Sequence, residues 1–445
     1  MKLPVSNTSL LRTGLLGIIM GLVSATGDVQ AQQHVTLEDA ISIGLENNFG
    51  LQISRNVAEI SGNNVTLGNA GFLPRVTATA SRTESVEDTD FVSGGERTER
   101  TGARSTNTNA AVNLEWTLFD GLRMFSEYNR LDELSAIADR ELRFNAELLV
   151  ADITLAYFDI IRIQDQVRVL ENTVEVSNER IEIEETKFEL GSGSEVELLQ
   201  ARSDLNEDRA ALLRERNLLE QAMFSFNELL SRSPGEEFSV SESIPINRSL
   251  QRDELFSALL ADNSELALAR MQQRVADMEV RSIRGERFPE VSLSSGYSFL
   301  RNETDGGFTT FVESTGFSIG LTARIPIFDG FNINRRSQNA QINQKNTRLQ
   351  LEDQKIRLES RFLTLFRTYQ NSLQLVDLEQ DNLDNAEKTL DVAIERFRLG
   401  DISSLEFREA QRTFQTAENR LINAKFEAKL AEIELLQLSG RLSVR

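Results

Sequence analysis

The sequence contains no cysteine and a single histidine, His34. Without cysteine there are no disulfides, thiolate metal sites, thiol nucleophiles or lipid-bearing cysteine. One histidine leaves no cluster for zinc and no second imidazole for a proton relay. Basic residues are also short, with 48 Lys and Arg against 69 Asp and Glu in 445 residues and a formal net charge of −21. That balance argues against nucleic acid or an anionic membrane surface as the main partner. Proline is sparse, and 75–233 and 327–445 contain none. An internal proline costs a helix about 3 kcal/mol, so both stretches permit long uninterrupted helices. Hydrophobic residues still make up 40% of the chain, enough to bury a core and to set disorder aside.

Lys2 and Arg12, the apolar run Leu15 to Val23 and the small-residue site Val29-Gln30-Ala31 read as an export signal over 1–31. The run is shorter than the roughly 20 apolar residues of a membrane helix, and no later stretch reads as one. If the exported chain enters a membrane, it does so as strands.

The remainder is written twice. Phe119-Asp120-Gly121 recurs as Phe328-Asp329-Gly330, and Phe188-Glu189-Leu190-Gly191 as Phe397-Arg398-Leu399-Gly400, both at an offset of 209. Leu73-Pro74 matches Phe288-Pro289, and Leu45 and Asn48 match Leu260 and Asn263, at an offset of 215. Self-similarity of this order marks an internal repeat, with the length difference falling where loops tolerate it. Repeat 1 is expected over 32–230 and repeat 2 over 252–441, joined by a linker at 231–251 that carries Pro234, Gly235 and Pro245.

Each repeat has one plan. A helix (37–71; 252–287) leads to the proline, and two alternating segments follow around a Gly-rich polar loop. After Phe-Asp-Gly comes a helix of nearly 70 residues, about 100 Å long at 1.5 Å per residue. A Leu-Gly turn and a closing helix (195–230; 404–440) end the repeat. Leu149, Ile153, Ala156, Ile160, Ile163, Val167, Leu170 and Val174 alternate spacings of four and three, as do Leu358, Phe362, Leu365 and Tyr369, with Val376, Leu383 and Leu390 in phase. A sustained 3.5-residue period means coiled-coil packing.

The strand segments run about 75–87, 107–118, 290–302 and 313–327. Val291, Leu293, Tyr297 and Phe299 share one face, and Phe317, Ile319, Leu321, Ala323, Ile325 and Ile327 share another. Val76, Ala78 and Ala80, then Val112, Leu114, Trp116 and Leu118, repeat the pattern more weakly. Alternation over about ten residues is the signature of a membrane β-barrel, though a half-buried soluble sheet gives it too. Four strands cannot close a barrel, since membrane barrels start at about eight, and open edges cannot face lipid. A membrane location therefore requires several chains to share one barrel. The loops 88–106 and 303–312 suit its outer face, and Trp116, Tyr297 and Phe299 an aromatic girdle.

With these motifs in this order, the chain resembles the TolC-type outer-membrane efflux proteins over 35–441. Leu37-x-x-Ala40, Leu45, Asn47-Asn48, Leu73-Pro74, both Phe-Asp-Gly junctions and both Leu-Gly turns carry the resemblance. It implies a mainly α fold with a transmembrane β part: a homotrimer whose strands form a 12-stranded β-barrel, continued by an α-helical coiled-coil barrel across the periplasm. It also implies passive exit for substrates of an inner-membrane transporter, a pump or type I secretion system, through a periplasmic adaptor protein. Outer-membrane lipid is the other partner, and no cofactor is implied. The tip residues Leu190, Gly191, Ser192, Leu399, Gly400 and Asp401 correspond to the adaptor contact, and Glu406 and Glu409 to the entrance constriction. Repeated around a trimer, those two would attract cations, and like-charge repulsion would raise the pKa of some members. Phe397 and Ile402 depart from the family, standing where some relatives carry polar residues that lock the entrance.

Local chemistry offers second roles. Ser403-x-x-Glu406 is a capping box, echoed by Ser194-x-x-Glu197, so Glu406 is either cap or throat residue. Glu409 lies beyond the cap, and its counterpart Gln200 is uncharged. Gly191 and Gly400 suit left-handed C-caps, and Asp120 and Asp329 suit N-terminal caps of the long helices. Acidic pairs such as Glu184-Glu185 read as a solvated face or tunnel lining. No Ser/His/Asp set, phosphate loop or metal-ligand spacing is present, so no enzyme is expected. The alternative is a trimeric coiled-coil adhesin of the cell surface, which the mid-chain position of the strands disfavours.

Overall fold

A computed structural model describes residues 33–240, 243–306 and 309–442, so the 1–31 export signal lies outside the described residues. Among the described residues no helix is long and apolar enough to cross a membrane. Repeat 1 contains β1 (Gln33–His34), α1 (Leu37–Asn47), α2 (Phe49–Asn63), β2 (Arg75–Ser93), β3 (Glu96–Phe119), α3 (Arg123–Glu189) and α4 (Glu195–Leu229). After β4 (Phe238–Ser239) the order returns as α5 (Arg252–Asp262), α6 (Ser264–Gly285), β5 (Glu290–Thr304), β6 (Phe311–Arg324), α7 (Asn332–Arg398) and α8 (Ser404–Leu438). The long helices α3 and α7 have 67 residues each.

The leading helices 37–71 and 252–287 are each broken in two, and the two breaks match. Asn48 ends α1 and caps α2, its Oδ1 accepting from Leu51 N at 3.0 Å while its Nδ2 donates to Leu229 O at 2.9 Å. Asn263 repeats both bonds, from Leu266 N and to Leu438 O, at 2.9 Å each. One side chain thus satisfies an orphan N–H of the following helix and an orphan carbonyl at the end of the closing helix.

The Phe-Asp-Gly corners turn strand into helix. Gly121 (φ 75°) and Leu122 (φ 68°), like Gly330 (φ 67°) and Phe331 (φ 63°), are left-handed in succession. A Cβ on Gly121 would lie 2.1 Å from Gly285 O, so only glycine fits there. Asp120 accepts from Met124 N at 2.9 Å and Asp329 from Ile333 N at 2.7 Å, reaching the first turn from before the corner.

The four long strands form one antiparallel sheet in the order β2-β3-β5-β6. Its register brings the alternating apolar residues together. Ala78 pairs with Val112, Val112 with Tyr297 and Tyr297 with Phe317, while Trp116 pairs with Leu293 and Leu293 with Leu321. The opposite face carries Thr77, Asn113, Gly296 and Ser318 in one row, joined through the same registers. Gly296 makes room there, since a Cβ would meet Asn113 Oδ1 at 2.7 Å.

The expected loop at 88–106 is instead strand. β2 and β3 continue to a turn at Gly94-Gly95, with Arg97 Nε donating to Asp90 at 3.0 Å. Gly-Gly supplies the two positive φ angles of a tight hairpin turn, and a ribbon wet on both faces can be polar throughout. β5 pairs with β3 only from Ser105 onward, so the ribbon stands clear of the sheet. The second connection is shorter than 303–312, because β5 runs to Thr304 and β6 starts at Phe311. Nor is 231–251 all linker, because β4 pairs in parallel with β1.

The helices pack in rows. Nearer the sheet, α2 lies on α3, α3 on α6 and α6 on α7; further away, α4 lies on α3, α3 on α8 and α8 on α7. The seam residues Ile153, Ile160, Phe362 and Tyr369 are buried, with Leu358 in the cluster of Phe362 and Val376 in a separate one with Leu421. Asn263→Ala is expected to lower stability by about 1–3 kcal/mol, because two buried backbone groups lose their partner. Chemical denaturation followed by circular dichroism checks this against an exposed control such as Asn382→Ala.

Candidate functional site: the helical tip

The two Leu-Gly turns lie at the end of the helices remote from the sheet. Gly191 (φ 75°) and Gly400 (φ 77°) take the left-handed conformation expected of them. Their amides donate to Phe188 O and Phe397 O at 3.0 Å. Leu190 and Leu399 are 77% and 82% exposed, and Val196 and Leu405 stand exposed six residues further along. Ser192 bonds back to Lys187 O at 3.1 Å, whereas Asp401 accepts from Arg396 Nε at 2.8 Å.

The capping box at α8 forms: Ser403 N donates to Glu406 at 2.8 Å and Glu406 N to Ser403 Oγ at 3.2 Å. Those bonds, from the Ser403 backbone first and its hydroxyl second, hold the Glu406 carboxyl below its ordinary value. Within one protomer the local effect is therefore opposite in sign to the repulsion expected of a carboxylate ring. In the first turn Ser194 Oγ accepts from Val196 N instead, and Glu197 is not drawn into a reciprocal box. Glu409 is exposed, three residues beyond Glu406 on α8. Glu406 lines a cleft between the two turns, and Glu409 follows it about one turn further along α8.

The seam of α3 changes character toward the tip. Above, it is Ile160, Ile163, Val167 and Leu170; below, the buried positions are Thr173, Ser177, Arg180 and Glu184. On α4, Asp208 follows Leu198, Ala201 and Leu205 into the buried face. Arg180 donates to Asp204 at 2.7 Å and to Ser404 Oγ at 3.0 and 2.8 Å. Arg408 forks onto Asp208 at 2.8 and 2.7 Å, Ser177 donates to Asp208 at 2.6 Å, and Gln411 donates to Ser177 at 2.9 Å. Burial alone would raise Asp204, but bonds from Arg180 and Gln200 and the Arg408 charge bring it below its ordinary value. Two arginines and two aspartates thus tie α8 to the α3–α4 hairpin through a buried network.

Of these residues Asp208 continues the spacing of Leu198, Ala201 and Leu205 on α4, whereas Arg180 stands one position before the seam position 181 that the spacing of α3 predicts. The seam of α7 stays apolar to its end, through Leu390, Ala393 and Phe397. Phe397 is fully buried and stacked on Phe407 at 4.8 Å, with Lys187 Nζ 3.7 Å above its ring and Ile402 packed beside them. Phe397 and Ile402 therefore belong to an apolar knot that closes the second hairpin.

Higher on α8, burial and the neighbouring Glu387 charge push Glu418 up to about 7. Its folded value lies above the ordinary 4.5, so the folded protein holds an extra proton between these values. The associated stability is complete below the ordinary value and is lost as pH rises through about 7. Glu418→Gln should accordingly melt at a progressively higher temperature than the parent as the buffer moves from about pH 5 to about pH 8. A difference that does not change with pH would free Glu418 of this role.

The family model described as "Outer membrane efflux protein" matches residues 40–231 and 255–441. The outer membrane efflux protein BepC of Brucella suis is 21% identical over 93% of this chain and 87% of its own length. The outer membrane protein TolC of Vibrio cholerae is 21% identical over 85% and 84%. The crystal structure of the outer membrane protein VceC from Vibrio cholerae superposes with a TM-score of 0.74 at 17% identity, covering 91% of this chain and 96% of that one. These matches support a channel and give nothing to the adhesin alternative. The chain belongs to the outer membrane efflux protein family and is an outer-membrane efflux channel with a helical periplasmic part.

Proposed function

We propose that three copies of this chain close into one duct, a 12-stranded barrel in the outer membrane running into a helical tunnel. One observation carries the proposal: sheet and helix rows end on open edges at the same two sides of the protomer. β2 and β6 are the ends of the sheet, and the chain passes from α2 into β2 and from β6 into α7. α2 presents exposed Phe49, Ile53, Val57 and Ile60, while α7 presents exposed Ile342, Leu349, Ile356 and Leu363 at seven-residue intervals. A heptad-spaced apolar stripe is a coiled-coil seam awaiting its partner. Because β6 runs opposite to β2, the next copy's β2 continues the antiparallel ladder.

Energy is supplied by an inner-membrane transporter, and the duct provides passive exit. The exposed pairs Leu190/Val196 and Leu399/Leu405 offer a periplasmic adaptor the same surface twice per chain, together with Gly191, Ser192, Gly400 and Asp401. Glu406 and Glu409 contribute the carboxylates of the throat, with Glu406 also serving as cap. The α7–α8 hairpin is held together by its apolar knot and moves as a unit. Its attachment to α3–α4 joins the polar network of Arg180, Asp204, Asp208 and Arg408, which can exchange its partners with water as the mouth opens, to the packing of Val176 and Ile183 against the knot. This division supports closure by buried charges rather than by polar side chains at positions 397 and 402.

Planar-bilayer recording of the purified trimer tests both roles. The parent should give cation-selective steps, and Glu406→Ala combined with Glu409→Ala should lower that selectivity in an intact trimer. Unchanged selectivity would return Glu406 to capping alone and remove Glu409 from the throat. Asp208→Asn, which leaves the Arg408 fork facing a neutral amide, should raise single-channel conductance or open time. Parental conductance in that variant would take the network out of the gate.

A further inference from the structure

One buried carboxylate oxygen at the tip is left without a hydrogen bond. Glu184 on α3 is 2% exposed, and its Oε1 accepts no hydrogen bond. It faces the cleft between the two Leu-Gly turns, a space of about 610 Å³ also lined by Lys187, Glu197, Ser404, Glu406 and Arg398. The cations around this cleft are engaged elsewhere. Arg180 is bonded to Asp204 and Ser404, Lys187 lies over the Phe397 ring, and Arg398 pairs with Glu179 and Glu395. Glu406 is tied into its own cap, but Glu197 is exposed and has no ion-pair partner among the described residues. The cleft therefore has an excess of carboxylate, and one of its oxygens is buried with its hydrogen-bonding capacity unmet. Leaving such an oxygen unpaired is costly, and a matching donor recovers that free energy.

We propose that the cleft between the Leu-Gly turns binds one organic cation, an ammonium or guanidinium group, through Glu184 and Glu197. Its biological setting rests on the tip being the periplasmic mouth of the duct; its chemistry does not. A divalent metal fits poorly, because such ions take about six or more oxygens. Among the described residues no three acidic, histidine or cysteine side chains converge on a metal position. A directional N–H donor suits the open Glu184 Oε1, and the Ser192 hydroxyl at the cleft, which donates to Lys187 O, can accept a further N–H group. The cation comes either from a free amine passing the mouth or from a basic side chain of a protein docked on the turns.

Calorimetric titration of the purified full-length protein with cadaverine, and separately with N-acetyl-arginine amide, tests the site. One saturable site per chain is expected for at least one probe, weakened about tenfold or more in Glu184→Gln. Glu197→Gln, at an exposed position that does not affect folding, should weaken it several-fold, while the Glu406→Ala/Glu409→Ala variant keeps it. Saturation by cadaverine assigns a free amine as sufficient; saturation by the arginine amide alone assigns a guanidinium side chain. Absence of saturable binding by either probe, or parental affinity in both Glu184→Gln and Glu197→Gln, would overturn the proposal. Binding lost only in the Glu406/Glu409 variant would overturn it as well. Bilayer steps from the same preparation separate failure of this site from failure of the duct.

Discussion

The unpaired outer edges of β2 and β6 are the constraint on which the rest of the molecule depends. Four strands with one apolar face leave two rows of backbone N–H and C=O groups without partners. In hydrocarbon each such group costs several kcal/mol, so the sheet is admissible in the membrane only as part of a closed ring. The helices obey the same demand more weakly, through apolar stripes on α2 and α7 that would otherwise lie in water. A single requirement for closure thus runs the whole length of the protomer, in hydrogen bonds at one end and in side-chain packing at the other.

Connecting these two kinds of order is the task of the corners. A strand rises about 3.3 Å per residue and a helix 1.5 Å, so passing between them needs an abrupt change of backbone dihedrals. Gly121-Leu122 and Gly330-Phe331 make that change with two left-handed residues each, and Asp120 and Asp329 satisfy the first amides of the new helix. Partway along the long helices, Asn48 and Asn263 bind the leading helices to the closing ones. The duplicated motifs are therefore duplicated bonds.

At the tip the two repeats diverge, and this divergence bears on the proposed opening. α7 keeps large apolar residues to its last turn, whereas α3 exchanges them for Thr173, Ser177, Arg180 and Glu184. Apolar contacts separate only with exposure of their surface to water, while buried ion pairs and hydrogen bonds can exchange partners with it. Buried ion pairs also add little net stability over an apolar isostere, which makes the polar interface the easier of the two to part. A stable hairpin on a separable support is the arrangement that the proposed mouth would require.

Much of this was legible in the residues. Absent prolines and a 3.5-residue seam fixed the long helices, period-two alternation located the strands, and Phe-Asp-Gly and Leu-Gly marked the turns, because each of these depends on local chemistry and spacing. The break at Asn48 was not legible: asparagine within a helical pattern becomes a cap only because Leu229 offers its carbonyl to Nδ2. The ribbon beyond Glu87 was hidden by its polarity, since a strand wet on both faces has no apolar alternation to betray it. The network of Arg180, Asp204, Asp208 and Arg408 joins residues up to 228 positions apart, and each alone reads as a surface charge. The sequence by itself determined the repeat, the long helices, the positions of the four strands and the channel family. Only tertiary structure decided which charges are buried, which carboxylate is orphaned and which edges remain open, because burial and partnership belong to the packed helices and strands rather than to any one of them.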